Sequence, residues 1–148
     1  EEAEAFISSY YRNFPGIAMW QQETLAFTRN NGYAQTLFGR RRYLPAIRST
    51  NFQVRSAAER EAINMPIQGT AADIIKVAMI RVDQEMRDRN LRSRMLLQVH
   101  DELIFECDEA RVDELFALVR PKMEQAAELR VPLQVDAGVG KSWALCKG

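Results

Sequence analysis

Between Glu2 and Arg12 the side chains of Ala5, Phe6, Ser9 and Tyr10 recur at helical spacing, and the run Asn13-Phe14-Pro15-Gly16 then breaks the pattern. This predicts a short amphipathic helix. A second helix is predicted from about Ile17 to Arg29, because Ile17, Trp20, Gln21, Thr24, Leu25 and Thr28 share one face and Asn30-Asn31-Gly32 reads as a C-terminal cap. Gly32 to Leu44 gives two short extended runs joined by Phe38-Gly39-Arg40, a hairpin with a glycine in its turn and three successive arginines. A polar lead-in from Arg48 to Gln53 precedes a long helical segment, 56–90, in which Pro66 and Gly69 are expected to kink or divide the helix. Met95 to Cys107 reads as two apolar strands flanking the polar trio His100-Asp101-Glu102, a hairpin with a charged tip. Glu109 to Leu129 is predicted as an amphipathic helix kinked at Pro121, and the alternation in 131–143 predicts a final strand. The order of elements implies an α+β fold, an antiparallel sheet with helices packed on one face.

Composition narrows this picture without adding chemistry. At 148 residues, 47% hydrophobic and 27% charged, the chain is long enough for one compact domain, or a domain with a smaller subdomain. Twenty basic and twenty acidic side chains balance, so binding to a polyanion has to come from local patches. Cys107 and Cys146 lie far apart, and a single histidine leaves them no zinc-site neighbours, so they are expected as free thiols in a reducing cytoplasm. No apolar run approaches the roughly 20 residues of a membrane helix, and no membrane partner is expected. The start EEAEAF lacks the basic and apolar regions of a signal peptide. It opens within an acidic helical pattern without a starter methionine or cap, so the sequence is read as a piece of a longer chain.

Three constellations could carry chemistry. Asp101 and Glu102 put two adjacent carboxylates at the mouth of an apolar hairpin, where repulsion and partial desolvation oppose ionisation of both unless a cation sits there. A hard ion such as Mg²⁺, which takes one or two protein carboxylates together with substrate phosphates, would compensate; a solvated turn is the alternative. His100 by itself reads as a structural hydrogen-bonding residue. Arg60, Asn64 and Gln68 recur every fourth residue and present long hydrogen-bonding side chains in a line. Such donors suit the minor-groove acceptors that occupy similar places in every base pair, and an ordinary exposed polar face is the alternative. Arg40, Arg41 and Arg42, beside Phe38 and Tyr43, read either as a phosphate-contact patch or as partners of carboxylates elsewhere in the fold. The run GVGK at 138–141 lacks the spacing of a phosphate loop.

The segments FISSYYRNFPGI (6–17), TLFGRRRYLPAI (36–47), EREAINMPIQGTAADIIK (59–76), LLQVHDELIFE (96–106) and VDAGVGKSW (135–143) occur in one order over nearly the whole chain. Together they resemble family A DNA polymerases of the bacterial polymerase I type, enzymes of DNA replication and repair. The resemblance implies a partial palm at 51–148 and an N-terminal helical and hairpin remnant of the fingers at 1–50. It implies DNA-templated addition of deoxynucleotides to a primer 3′ end, with primer-template DNA and deoxynucleoside triphosphates as partners and a two-metal Mg²⁺ site as cofactor.

By the same resemblance Asp101 is one of two metal-holding aspartates and Glu102 a second carboxylate near the metals. His100 touches the primer terminus, and Arg60, Asn64 and Gln68 contact the minor groove. The family's first aspartate motif, of the form DYSQIELR, and its nucleotide-gripping helix, of the form RRxxKxxNFGxxYG, do not occur in these residues. The 148 residues alone are therefore expected to be inactive, to need the missing N-terminal part of the polymerase, and to self-associate through uncovered apolar surface. Two other readings stand beside this one: a non-catalytic, nucleic-acid-binding assembly half of a split polymerase, and a metal-dependent nuclease built on Asp101, Glu102 and Asp136.

Overall fold

The computed structural model describes residues 2–146, which group into two compact units that divide between Thr70 and Ala71. In the first unit, α1 (Glu2–Asn13) and α2 (Pro15–Asn31) are followed by an antiparallel hairpin of β1 (Tyr33–Gln35) and β2 (Arg41–Tyr43). A single 3-10 turn (Pro45–Arg48), α3 (Phe52–Asn64) and a π-helical turn (Met65–Gly69) complete it.

The predicted face of α2 is the one that packs: Ile17, Trp20, Gln21, Thr24 and Leu25 are half-buried and Thr28 is fully buried. The helix stops where Gly32 takes φ 79°, its amide bonded 2.8 Å from the Thr28 carbonyl. Arg48 completes this cap, its guanidinium donating to the carbonyls of Arg29 at 2.7 Å and Asn30 at 3.0 Å. The polar lead-in to α3 proves to hold its N-cap. Asn51 Oδ1 accepts from the amides of Gln53 at 2.9 Å and Val54 at 3.3 Å, so the helix starts at Phe52, several residues before the apolar period alone indicates.

Proline 66 divides the long helix, as expected. Its ring supplies no N–H and clashes with the carbonyl four residues back, and the chain opens into the wider π turn at that place. Ala34, Leu44, Ile47, Ala58, Ala62 and Met65 form the core of this unit, with Leu25 and Ala46 packed against it. The two alanines of α3 let the helix backbone approach the hairpin closely. Helix α1 buries nothing, and Phe6, Ile7 and Phe14 are 73%, 54% and 54% exposed.

The second unit contains the body of α4 (Thr70–Asp88), the hairpin β3 (Ser93–Val99) and β4 (Glu102–Cys107), a 3-10 turn (Glu109–Arg111), α5 (Val112–Glu124) and a short α6 (Trp143–Cys146). Helix α4 ends in a Schellman motif. Asn90 adopts φ 49°, the Leu91 amide reaches back to the Met86 carbonyl at 2.9 Å, and both Leu91 and Met86 enter the core. That core is Val82, Met86, Leu91, Leu115, Leu118 and Val119, capped by Met95, Phe105 and Cys107 from one face of the hairpin. Ser93 opposes Cys107 and Met95 opposes Phe105, so these inward residues stack across the ladder. Glu85 bridges Lys122 at 2.7 Å and Arg89 at 2.6 Å, and the two cations hold its carboxyl below the usual range. Burial, with Asp108 adjacent, pushes the Cys107 thiol up. Both cysteines are free.

Three expectations need correction. The α+β class holds, but the described residues form two separate two-stranded sheets instead of one layer. The predicted helix 109–129 begins as a 3-10 turn, carries Pro121 inside it and ends at Glu124, where Gln125 leaves helical geometry at φ −97° and ψ 11°. The segment 131–141 is extended in pattern yet forms no strand. Its polar groups turn to α5 side chains: Val135 O accepts from Arg120 at 3.1 Å and Val135 N donates to Glu124 Oε1 at 3.3 Å. Among the described residues no helix is long and apolar enough to cross a membrane.

Candidate functional site

In the second unit the sequence-predicted tip is a two-residue turn, His100-Asp101, closed by the pair Val99 and Glu102. Glu102 is thus the first residue of β4, one step off the tip. His100 takes φ 55°, at a place such turns usually give to glycine. For a residue with a Cβ this conformation costs roughly 1–2 kcal/mol, and strain of this kind gathers at functional positions. The Gln98 side-chain amide buttresses the turn by donating to the His100 carbonyl. His100, Asp101 and Glu102 are all exposed. A bulge between Met95 and Leu97 shifts the register of β3 below the turn.

Two adjacent carboxylates fit a Mg²⁺ ion shared with substrate phosphates, which needs only one or two protein oxygens. They do not make a self-sufficient cage. Among the described residues no group of three His, Cys, Asp or Glu side chains is placed to hold a metal, so Asp101, Glu102 and Asp136 do not form the cluster a nuclease reading needs.

In the first unit Arg60, Asn64 and Gln68 are exposed on the side of α3 and its π turn away from the core. Arg60 Nη1 rests 3.1 Å from Ser56 Oγ. The arginine hairpin is fastened to the same segment. Arg42 Nη2 lies 2.8 Å from Glu61 Oε2, and Arg40 Nη2 donates to the Gly69 carbonyl at 3.0 Å. Arg41 lies over the Tyr33 ring, 4.5 Å from its centroid, and Tyr33 packs edge-on against both Phe27 and Tyr43. Of the two arginine readings weighed from the sequence, carboxylate pairing is present at Arg42, while Arg40 bonds a carbonyl, Arg41 covers a ring, and all three residues remain exposed. Sequence reasoning missed Thr36 and Thr70. Both are buried; the Thr70 hydroxyl joins the hairpin to the π turn, and the Thr36 hydroxyl holds the hairpin's own turn by accepting from the Arg40 amide. Small polar residues carry no periodic signal, so only the fold reveals them.

The sequence pattern of DNA polymerase family A matches residues 1–145. The chain belongs to DNA polymerase family A. Thermostable DNA polymerase I of Thermus thermophilus is 49% identical over 148 residues, all of this chain and 18% of the relative. DNA polymerase I of Mycobacterium tuberculosis is 52% identical over 143 residues, 97% of this chain and 16% of the relative. The chain thus spans about a sixth of the length of these family A relatives. The solved POL domain of Pol1 from M. smegmatis, in complex with DNA primer-template and dNTP, superposes with a TM-score of 0.97 at 52% identity, over 100% of this chain and 26% of that one.

Proposed function

We propose that these residues are part of the synthesis centre of a DNA-directed DNA polymerase, one that adds deoxynucleotides to the 3′ end of a primer. The observation that carries this reading is the likeness, along the whole chain, to a POL domain solved with primer-template and dNTP. The subdomain assignment goes with it: residues 1–50 as part of the fingers and 51–148 as part of the palm.

In this reading Asp101, held at the end of a rigid hairpin, is a Mg²⁺ ligand, with Glu102 a second carboxylate beside it. Bound Mg²⁺ would supply a lowered pKa for the primer 3′-hydroxyl and neutralise charge on the triphosphate. His100, fixed in its left-handed conformation, presents its ring to the primer terminus. Arg60, Asn64 and Gln68 donate to minor-groove acceptors common to all base pairs, which suits an enzyme that must accept any sequence. Arg40, Arg41 and Arg42 contact backbone phosphates. On their own, residues 1–148 hold too few carboxylates for the two-metal site and are proposed to be inactive.

Primer extension tests this in two arms. Residues 1–148 alone should extend nothing, whereas the full-length polymerase that carries them should extend. In the full-length enzyme Asp101→Asn keeps the side-chain shape and should lower the single-turnover rate by about 100-fold or more, with duplex affinity nearly unchanged. A near-wild-type rate in that variant would return the hairpin to a plain solvated turn.

A further inference from the structure

Thr70 closes the π turn and performs three bonds at once. Its backbone amide donates to the Ile67 carbonyl, its hydroxyl donates to the Pro66 carbonyl, and its Oγ1 accepts from the Leu37 amide at 3.0 Å. On the hairpin side Thr36 Oγ1 accepts from the Arg40 amide at 3.2 Å, closing the hairpin's own turn. The two threonines are 6% and 3% exposed, so water cannot substitute readily for either hydroxyl. Between them Gly69 leaves no slack: a Cβ there would stand 2.8 Å from Thr36 Cγ2 and 3.0 Å from Met65 Sδ. Its carbonyl takes the Arg40 guanidinium at 3.0 Å. The backbone that carries Gln68 and the hairpin that carries the three arginines are thereby tied by the buried Thr70 hydroxyl and by the Arg40 guanidinium, while the buried Thr36 hydroxyl holds the hairpin turn itself.

We propose that Thr70, together with Thr36, is a positioning residue that presents Gln68 and the arginine hairpin to primer-template DNA as a single rigid surface. This rests on the DNA-contact reading given above. A surface assembled in advance loses less freedom on binding, so breaking the tie should weaken affinity although no DNA-touching group is removed.

The test uses the full-length polymerase and a primer-template duplex, with Kd measured over a range of salt alongside Tm. Thr70→Val keeps the shape and removes both side-chain hydrogen bonds. It should raise Kd about five- to tenfold, the loss expected from one or two ordinary hydrogen bonds, and flatten the salt dependence as phosphate contacts slacken. Thr70→Ser restores the hydroxyl and should bind within about twofold of wild type. Thr70→Val combined with Gln68→Ala should lose clearly less than the product of the two single losses, since part of the Thr70 effect acts through Gln68. Should the valine variant fail to fold, Thr70→Cys, a weak donor and acceptor of similar size, carries the same comparison. A merely structural threonine would lower Tm and leave Kd, salt slope and additivity untouched, and that result overturns the proposal. If Arg41→Ala and Gln68→Ala themselves leave duplex affinity unchanged, the DNA-contact reading falls and the proposal with it. If those two bind weakly while folded Thr70→Val binds normally, only the proposal falls.

Discussion

The hairpins β1–β2 and β3–β4 are both antiparallel, and each turns through one left-handed residue, Gly39 at φ 80° in the first and His100 at φ 55° in the second. They differ in what holds them. The first adds polar ties to its apolar seat on Ala34 and Leu44, with Thr70, Arg40 and Arg42 joining it to α3 and the π turn, and its turn is relaxed because glycine pays no steric penalty there. The second is seated on oil, with Met95, Phe105 and Cys107 packed on α4 and α5, and its turn holds strain in a side chain that glycine would avoid. In the proposed reading the relaxed turn serves as scaffold, and the strained one, kept beside a pair of carboxylates, serves chemistry that requires the side chain.

The sharpest way to break this contrast is to exchange damage between the tips. Asp101→Asn should cost about 100-fold or more in single-turnover rate, while Arg42→Ala, which removes a half-exposed ion pair, should leave that rate within a few-fold. Equal losses would erase the distinction between chemical and binding hairpins. Next in size, Gly39→Ala should destabilise the fold by about 1–2 kcal/mol in urea titration. No atom lies within 4 Å of the added Cβ, so the whole cost is backbone conformation. His100→Gly should move the opposite way, gaining up to about 1 kcal/mol in stability while primer extension falls; a loss of stability would show that His100 is not strained.

The smallest expected effect concerns acid. Glu85, held below its ordinary range first by Lys122 and then by Arg89, adds stability that is present above its unfolded value. That stability disappears as pH falls through the lower folded value, so Glu85→Gln should flatten the decline in Tm below about pH 4. The same slope in both proteins would refute the assignment. Sedimentation gives a separate check on α1: residues 1–148 should self-associate through Phe6, Ile7 and Phe14, and a clean monomer at high concentration would contradict this.

Much of this contrast was legible in the sequence. The packing face of α2 followed from period alone, because six residues at helical spacing all turned inward. Pro66 announced the break in the long helix, the first hairpin showed as two extended runs around a glycine turn, and the second as apolar runs around a polar tip. What the sequence hid was pairing. The alternation in 131–143 told of an extended chain but not of a neighbouring strand, and the backbone there went to Arg120 and Glu124 instead. The cap at Asn51 lay outside the apolar period, and the threonine tie lay inside the core, where a hydroxyl looks like any small residue. The acidic pair and the polar stripe were visible as residue types, and the strain at His100 was not, since φ is not written in composition.

The double cap that Arg48 places on α2 also bears on how the chain matures. Its two bonds reach back 19 and 18 residues, and the Leu44 amide closes on the Gly32 carbonyl at 2.9 Å within the same loop. Loops of this size close in far less than a millisecond, whereas a ribosome adds about 5–20 residues each second. Residues 15–48 therefore contain every partner of this polar framework, and on release from the ribosome its bonds are within reach over short loops, whereas the apolar contacts with Ala58, Ala62 and Met65 close over longer ones.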